Sequence, residues 1–310
     1  MPAPAAQQAV ELSITIVNWR TARETIACVR SVESHPPRCS YEILVLENGS
    51  GDDSFVRLRE AFAGRPNVHL VHSARNLGFG AGQNLLAQRA RGRLLLMLNP
   101  DCRACPGAID ALVRFMRQTP RAGAAGPLTV SPEGQRLPSC RRFPTLKAAA
   151  LRNPLLGFLR RLRPVRDYLM ADYNADQPVP VDWVSGACLI VRKEVFDALG
   201  GFDERFFMYC EDMDLCLRMK QAGWLTYYVP QARFVHAVGR SSDHAPLRMI
   251  FHHHRSMYLF YRKHMARGEG PIVRALVPLG AALRFLTVSA AYIFSALFRA
   301  LRRRPGRANQ

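Results

Sequence analysis

Three carboxylates lie within four residues of one another, at Glu211, Asp212 and Asp214. Like charges this close repel, so each tends to raise the pKa of its neighbours. A carboxylate with a raised pKa can take a proton from a hydroxyl group near neutral pH. The same residues are also favourable in the first turn of a helix, beside its positive end. The cluster alone is therefore compatible with two interpretations, a general base and the acidic first turn of a helix.

A second carboxylate, Asp101, follows the apolar run 94–98 directly, in the sequence Asn99-Pro100-Asp101. A hard divalent cation prefers such an oxygen ligand and takes its others from phosphate and water. A plain turn made of Asn, Pro and Asp is the alternative. Cys102 and Cys105 form one CxxC pair, but no second pair accompanies it, so zinc is not expected.

Residues 76–84 form a glycine-rich turn that leads into a helical pattern. Backbone N–H groups at such a turn can approach phosphate groups. The segment matches neither the dinucleotide-binding pattern GxGxxG nor a Walker loop with its Gly-Lys-Ser/Thr. The segment is therefore compatible with either a phosphate-binding turn or an ordinary tight turn.

The elements that must position these residues alternate between strand and helix. Short apolar runs predict strands, and amphipathic segments between them predict helices, so we expect an α/β fold whose parallel sheet carries helices on both faces. Polar residues follow three of the strands, at 18–19, 47–48 and 99–101, and ligands bind beyond such strand ends. The predicted strands cover residues 12–19, 41–46, 68–72, 94–98, 183–191 and 224–229.

The net charge of +19 is concentrated in two regions. Residues 134–166 hold nine Lys or Arg and no acid, and residues 240–310 hold thirteen against two acids. Such surfaces face an anionic partner: phospholipid, a polyprenyl pyrophosphate or nucleic acid. A nucleic-acid-binding protein should also show an aromatic platform or a known recognition motif, and neither is evident. We therefore expect no nucleic-acid partner.

Apolar residues accompany the basic ones in both regions. Leu155, Leu156 and Phe158 lie among arginines, which predicts an amphipathic segment suited to a membrane surface, unless it is only a solvated face. Residues 275–298 approach the length of a transmembrane helix. Arg284 near its middle and Pro278 favour an interfacial or shallowly inserted helix over a true span. Three neighbouring histidines at 252–254 point in different directions on a helix, which argues against a zinc cluster.

Six motifs in this order resemble the family-2 inverting glycosyltransferases with the GT-A fold, most closely the rhamnosyltransferase-like branch. The resemblance covers about residues 10–264 and implies a Rossmann-like, mostly parallel sheet flanked by helices, followed by a basic, apolar helical region. The motifs are Val17-Asn18-Trp19, Glu47-Asn48-Gly49-Ser50-Gly51-Asp52, Asn76-Leu77-Gly78-Phe79, Asn99-Pro100-Asp101, Trp183-Val184-Ser185-Gly186-Ala187 and Gly200-Gly201-Phe202-Asp203-Glu204 with Glu211-Asp212-Met213-Asp214-Leu215.

The resemblance implies a nucleotide-sugar donor and a divalent metal, Mg²⁺ or Mn²⁺. Asp101 would be the last carboxylate of the DxD-type metal motif, and His236, on the loop after the last strand, a metal or diphosphate ligand. Glu47 stands where the family usually has Asp, at the nucleobase. The residues implied to bind the nucleotide sugar are Val17, Asn18, Trp19, Glu47, Asn48, Asn76, Gly78 and Asn99.

The resemblance assigns the catalytic base to Asp212, which would deprotonate the acceptor hydroxyl in a single inverting displacement. Glu211 and Asp214 would support it or bind the acceptor, whose floor would include Trp183 and Gly186. The expected donor is dTDP-rhamnose, with a UDP-sugar as the alternative, and the expected acceptor is a polyprenyl-pyrophosphate-linked or cell-surface glycan. We expect a flexible tail over 1–9, a catalytic domain over 10–240 with the basic insertion 134–166, and a helical region over 241–310. The last would hold the protein on the anionic cytoplasmic face of the inner or plasma membrane.

Overall fold

The computed structural model describes residues 9–151, 159, 161–170, 176–237 and 246–302, with side chains as far as Phe298. The tail predicted for residues 1–9 lies, apart from Ala9, outside this part of the chain. So do Leu155, Leu156 and Phe158 of the predicted amphipathic segment.

Twelve strands, ten α-helices and a short 3₁₀-helix (Ala266–Gly268) are found in the described residues. The strands are β1 (Leu12–Asn18), β2 (Tyr41–Asn48), β3 (Val68–Ser73), β4 (Leu94–Leu98), β5 (Cys102–Ala104), β6 (Ala122–Val130), β7 (Arg136–Leu137), β8 (Cys140–Arg141), β9 (Val179–Val181), β10 (Trp183–Val184), β11 (Cys188–Arg192) and β12 (Leu225–His236). The helices are α1 (Ala22–Ser34), α2 (Ser54–Phe62), α3 (Phe79–Arg89), α4 (Ala108–Gln118), α5 (Leu146–Leu151), α6 (Arg163–Leu169), α7 (Lys193–Ala198), α8 (Glu211–Gln221), α9 (Pro246–His264) and α10 (Pro271–Arg302).

One large sheet organises the molecule, in the order β3-β2-β1-β4-β11-β6-β12-β5. The four strands β3, β2, β1 and β4 are parallel, as their connection through helices predicts. Strand β11 then runs antiparallel to both β4 and β6, and β12 is parallel to β6. The predicted α/β fold with a mostly parallel sheet is confirmed; its antiparallel members are β11, the edge strand β5, and the short strands β7 and β9, which pair with β6 and β12.

Helices cover both faces of the sheet, which explains why β4 is apolar at every position. Successive residues of a strand point to opposite faces. Leu96 and Leu98 pack on the face covered by α1, α2 and α4, whereas Leu95 and Met97 pack on the face covered by α3, α7 and α8. The run 94–98 is therefore buried from both sides, as parallel strands in such folds are.

Two strand predictions were wrong in their extent. The apolar run predicted as one strand over 183–191 is split into β10 and β11 by a turn at Ser185–Ala187, because the Gly186 N–H bonds to a side chain instead of a neighbouring strand. The strand predicted over 224–229 continues to His236 as β12. Pro230 suggested that the strand ends at Val229. The strand continues past this proline because its pairing with β6 is irregular between Val229 and Arg233, where a proline is tolerated.

The last two helices lie beside this core. A cluster of buried side chains that includes Phe206, Met213 and Phe260 packs α9 against α8. The segment Pro271–Phe298 of α10 has a mean hydropathy of 1.6 and none of it is buried. By length and composition alone it can cross a membrane. Pro278 lies inside this helix without ending it.

Candidate active site

A cavity of about 360 Å³ opens at the carboxyl edge of the sheet. It is lined by residues from segments far apart in the sequence, because the ends of β4, β5, β10 and β12 meet the start of α8 there. The sequence-predicted residues that it brings together are Asn99, Asp101, Trp183, Gly186, Glu211, Asp212 and His236. The expected metal-ligand residues and the expected base thus face one space.

Asp212 lies in the first turn of α8, so the helix-terminus interpretation of the acidic cluster is confirmed. Its Oδ2 accepts the Gly186 N–H at 2.8 Å, and its Oδ1 accepts the Met213 N–H at 2.8 Å. Burial raises the pKa of Asp212, and these hydrogen bonds with the charge of Arg141 oppose the rise without cancelling it. The carboxylate is thereby fixed in orientation while its affinity for a proton is increased.

Glu211 is more deeply buried than Asp212, with 5% of its surface exposed. Its Oε2 has no hydrogen-bond partner among the described residues. Burial, and then the charge of Asp212, raise the pKa of Glu211 well above its usual value. The shift is toward the protonated form of Glu211, in which it carries no negative charge beside Asp212.

The backbone that enters α8 is strained at two consecutive residues that line the cavity. Tyr209 and Cys210 have φ angles of 69° and 67°, in the left-handed region that non-glycine residues rarely adopt. Each costs about 1–3 kcal/mol. The Cys210 carbonyl accepts the Asp214 N–H at 2.8 Å, which continues α8 from the strained residue. The strain is thus located where the chain turns Glu211 and Asp212 into the cavity.

Asp214 occupies a different place from its two neighbours. It is completely buried and does not line the cavity. Its carboxylate contacts Arg218 Nε at 2.8 Å, Lys263 Nζ at 2.6 Å and His264 Nε2 at 2.6 Å. Burial alone would raise the pKa of Asp214, but these partners outweigh it and lower the pKa. Asp214 thus ties α9 to α8 and does not face the cavity to which an acceptor would bind.

Asp214→Ala should lower the free energy of unfolding by about 3–5 kcal/mol, because it leaves the mostly buried Arg218 and His264 without their carboxylate partner, whereas Lys263 keeps its ion pair with Asp203. Since the pKa of Asp214 is lowered on folding, this stability is present above the unfolded pKa near 3.8 and is lost as the pH falls through the folded value. Urea denaturation at several pH values measures it. The matched control is Asp197→Ala, whose pair with Lys193 is half exposed and worth under about 1 kcal/mol. Equal losses in the two variants would contradict this account.

Asp101 and His236 meet because β5 and β12 pair antiparallel, with His236 opposite Cys102. His236 is the last residue of β12, so its predicted position on a loop was wrong. Asp101 is 4% exposed, and its Oδ1 lies 3.2 Å from His236 Nε2. That oxygen accepts no hydrogen bond from the described residues. A buried carboxylate oxygen in need of a partner, beside an imidazole nitrogen, fits a divalent cation such as Mn²⁺.

Cys102 lies within 4.8 Å of the same two ligand atoms, but its chemistry does not suit that cation. Its thiol donates to the Ala187 carbonyl at 3.2 Å. Burial raises the pKa of Cys102 well above its usual value, so the thiol stays protonated. A protonated sulfur is a poor ligand for a hard metal ion. The metal-ligating candidates are therefore Asp101 and His236.

The residues expected at the nucleobase lie along the same sheet edge, outside the cavity lining. Asn18 and Glu47 are opposite each other in the β1–β2 ladder. The Asn18 Oδ1 accepts from the Thr25 hydroxyl at 2.8 Å, and the Glu47 Oε1 accepts the Ser50 N–H at 2.8 Å. These two side chains fix the turns that follow β1 and β2. Val17 packs in the core, whereas Trp19 is half-buried under the Arg20 guanidinium, 5.3 Å from its ring.

Asn48, Asn76 and Gly78 build the glycine-rich turn. Asn48 accepts the Leu77 N–H at 3.0 Å and donates to the Gly78 carbonyl at 3.2 Å, and Asn76 accepts the Gly78 N–H at 2.9 Å. Gly78 has a φ of 88°, and a Cβ there would lie 2.4 Å from the Phe207 carbonyl oxygen, so only glycine fits. The turn delivers Phe79 into the cavity wall.

Several cavity residues were missed by reasoning from the sequence. Arg141 lies over the Trp183 ring at 5.4 Å, and its charge lowers the pKa of Asp212. The acid-free basic segment 134–166 was the available signal, but nothing local singled out this arginine. Lys263 and His264, which contact Asp214 away from the cavity, stood out only as part of a basic helix. The other lining residues that no motif indicated are Tyr168, Met208, Tyr209, Cys210, His253 and Met257.

Two solved glycosyltransferases of the GT-A fold resemble this structure in their fold. The mannosyltransferase PcManGT from Pyrobaculum calidifontis, solved with GDP-Man and Mn²⁺, superposes with a TM-score of 0.57 at 16% identity, over 96% of this chain and 82% of that one. GalNAc-T7, solved with UDP, GalNAc and Mn²⁺, gives a TM-score of 0.55 at 18% identity, over 74% of this chain and 44% of that one. At such identities the likeness shows the fold.

The family follows from the sequence match. The model of "Glycosyltransferase like family 2" matches residues 9–269, and the chain belongs to this family; it is a glycosyltransferase. A Mycobacterium tuberculosis protein named N-acetylglucosaminyl-diphospho-decaprenol L-rhamnosyltransferase is 37% identical over 229 residues, which cover 70% of this chain and 73% of the relative. The Escherichia coli rhamnosyltransferase WbbL is 48% identical over 56 residues, 18% of this chain and 21% of the relative.

Proposed function

We propose that this protein is an inverting, metal-dependent rhamnosyltransferase that moves rhamnose from dTDP-rhamnose to a polyprenyl-diphosphate-linked glycan. One observation carries the proposal: a single cavity holds an oriented carboxylate with a raised pKa, Asp212, and the Asp101–His236 pair. The name of the M. tuberculosis relative supports rhamnose and a lipid-linked acceptor. A UDP-sugar is the alternative donor, because uracil and thymine present the same N3–H to Glu47.

The proposed reaction is one displacement. Asp212 accepts the proton of the acceptor hydroxyl while that oxygen attacks the anomeric carbon from the face opposite the nucleotide. The bond from the anomeric carbon to the donor diphosphate breaks, the configuration inverts, and the proton stays on Asp212. The N–H groups of Gly186 and Met213 hold the carboxylate in line for this transfer.

The leaving diphosphate acquires negative charge in this step, and the cavity supplies positive charge to meet it. Asp101 and His236 would hold the divalent cation, which acts as a Lewis acid toward diphosphate oxygens when bound. Arg141 lies in the same wall, above Trp183. We assign the acceptor floor to Trp183 and Gly186, and the nucleobase side to Trp19 and the second oxygen of Glu47.

The test is transfer by the purified full-length protein with Mn²⁺ and decaprenyl-diphospho-GlcNAc as acceptor. dTDP-rhamnose is compared with UDP-sugars, and NMR of the product reads the anomeric configuration. We expect turnover with dTDP-rhamnose and a configuration opposite to that of the donor. Faster turnover with a UDP-sugar would favour the alternative, and retained configuration would exclude Asp212 as a base for direct displacement. Thermal shifts with each nucleotide sugar report donor binding separately.

The pH dependence of transfer should report the raised pKa of Asp212. The base must be ionised, so kcat/KM falls as the pH drops through its pKa, and the acidic limb should lie above the ordinary value of 3.8. Arg141→Met removes a charge that lowers this pKa, so the limb should move to higher pH. The control is Arg142→Met, an exposed neighbour that should leave the limb in place. An unmoved limb in Arg141→Met would contradict the assignment.

We infer that the protein acts at the cytoplasmic face of the membrane, held by α10 and the two basic regions. Deleting residues 271–310 should abolish sedimentation with vesicles that contain anionic phospholipid, because the exposed apolar face of α10 is removed. Far-UV circular dichroism should show that the remaining domain is folded, since the family match ends at residue 269. If the truncated protein still sediments with such vesicles, the anchor lies elsewhere.

A further inference from the structure

A second cavity, of about 530 Å³, lies between α5, α9 and α10. We call it the apolar groove. Its walls are mostly apolar, with Leu146 from α5, Met257 and Tyr258 from α9, and Val277 and Ala281 from α10. No carboxylate lines it among the residues that the structure describes. A groove of this kind suits an uncharged, extended hydrocarbon chain.

The apolar groove is adjacent to the active-site cavity. His253 and Met257 line both spaces. A small cavity of about 10 Å³ lies beside both and is bounded by these two residues together with Tyr168, Ala149 and Arg284. Tyr168 belongs to the wall of the active-site cavity, and Arg284 belongs to the wall of the groove. Only a few side chains therefore separate a molecule in the groove from the space that Asp212 faces.

Arg284 places a positive charge at this junction. In the sequence it is an obstacle to a membrane-spanning helix, but in the fold it is half-buried between the small cavity and the groove. Its Nη1 lies 3.4 Å from the Ala149 carbonyl oxygen, which holds the side chain toward α5. A cation between a polar cavity and an apolar groove matches an anion between a sugar and a hydrocarbon chain.

We propose that the apolar groove binds the first isoprene units of a polyprenyl-diphosphate-linked acceptor, with the diphosphate beside Arg284 and the sugar in the active-site cavity. Along the ligand, the hydrocarbon chain is followed by the diphosphate and then by the sugar. Along the protein, the apolar groove is followed by Arg284 and then by the active-site cavity, so the two orders match. The outward face of α10 exposes Leu279, Leu286 and Phe294, so the groove lies where a chain can enter from the bilayer. This site deepens the proposed function and rests on it.

The first experiment compares water-soluble acceptors, GlcNAc-diphosphate carrying a methyl or a geranyl group. The geranyl acceptor should have a KM lower by about tenfold or more, because each methylene that enters an apolar groove is worth roughly fourfold in affinity. Ala281→Trp fills the groove and should remove most of this advantage, with the KM of the methyl acceptor unchanged. The matched control is Ala282→Trp, the exposed neighbour outside the groove, which should keep it. A chain-independent KM in the wild type, or equal effects of both substitutions, would overturn the proposal.

The second experiment reads binding without turnover. A farnesyl diphosphate that carries a diazirine on its chain is cross-linked to the full-length protein in detergent, and the labelled peptides are mapped. We expect labels on α5, α9 and α10 that Ala281→Trp removes and Ala282→Trp retains. Labels elsewhere, or equal labelling of the groove by a phosphatidylglycerol diazirine probe, would overturn the isoprenoid assignment.

If the groove is labelled but no sugar is transferred, the site stands and the proposed rhamnosyl transfer fails. If sugar is transferred but the groove is not labelled, the transfer stands and the groove site fails.

Discussion

Asp212→Asn should lower kcat for sugar transfer by about 10²–10⁴-fold, because an amide cannot accept the proton of the acceptor hydroxyl. The substitution keeps the size of the side chain, and its Oδ1 can still accept one of the two N–H groups, from Gly186 or Met213. Binding of the nucleotide sugar should be nearly unchanged, since the donor is held by other residues. Steady-state kinetics with isothermal titration of the donor separates the two effects.

The matched control for this variant is Glu211→Gln, one position away. Burial already favours the neutral form of Glu211, so a neutral isostere should fold normally and lose far less activity than Asp212→Asn. We thus expect a large loss of activity in Asp212→Asn and a small one in Glu211→Gln. Near-normal turnover in Asp212→Asn, or an equal loss in both variants, would show that the base lies elsewhere.

Asp101→Asn should abolish Mn²⁺ binding in the micromolar range and lower transfer by about 10²-fold or more, since a Lewis acid at the leaving group contributes several kcal/mol. The buried Oδ1 without a hydrogen-bond partner among the described residues is the reason to expect a metal there. Electron paramagnetic resonance of Mn²⁺ measures binding without any turnover. His236→Gln should weaken binding less, because it removes a neutral ligand and leaves the carboxylate.

Cys102→Ala provides the control for the metal site. The thiol is within 4.8 Å of Asp101 and His236, so it shares their surroundings. However, it donates its proton in a hydrogen bond to the Ala187 carbonyl. We therefore expect Mn²⁺ binding and transfer to survive this substitution. If Cys102→Ala loses Mn²⁺ whereas Asp101→Asn retains it, the site is a thiolate site and the proposed metal role of Asp101 is wrong.

Much of the fold was predictable from local patterns. A run that is apolar at every position, such as 94–98, is buried from both faces, and alternation of such runs with amphipathic helices specifies a mostly parallel sheet. The acidic first turn of α8 was readable too, because three carboxylates and the helical pattern after them are adjacent in sequence. The predicted strand boundaries were wrong at two places. The apolar run hid the turn Ser185–Ala187, and Pro230 suggested an end to a strand that continues as β12.

The sequence by itself determined the α/β class, the family resemblance and the carboxylates able to do chemistry, because residue type and short-range periodicity carry that information. Tertiary structure alone decided which groups meet. The β5–β12 register brings His236 to Asp101, and the last turn of α9 brings Lys263 and His264 to Asp214. These contacts join residues about 50 or more positions apart, and no periodicity within one helix or strand reports them. The surroundings also separate the roles of three neighbouring acids. Burial raises the pKa values of Glu211 and Asp212, whereas the basic side chains around Asp214 outweigh its burial and lower its pKa.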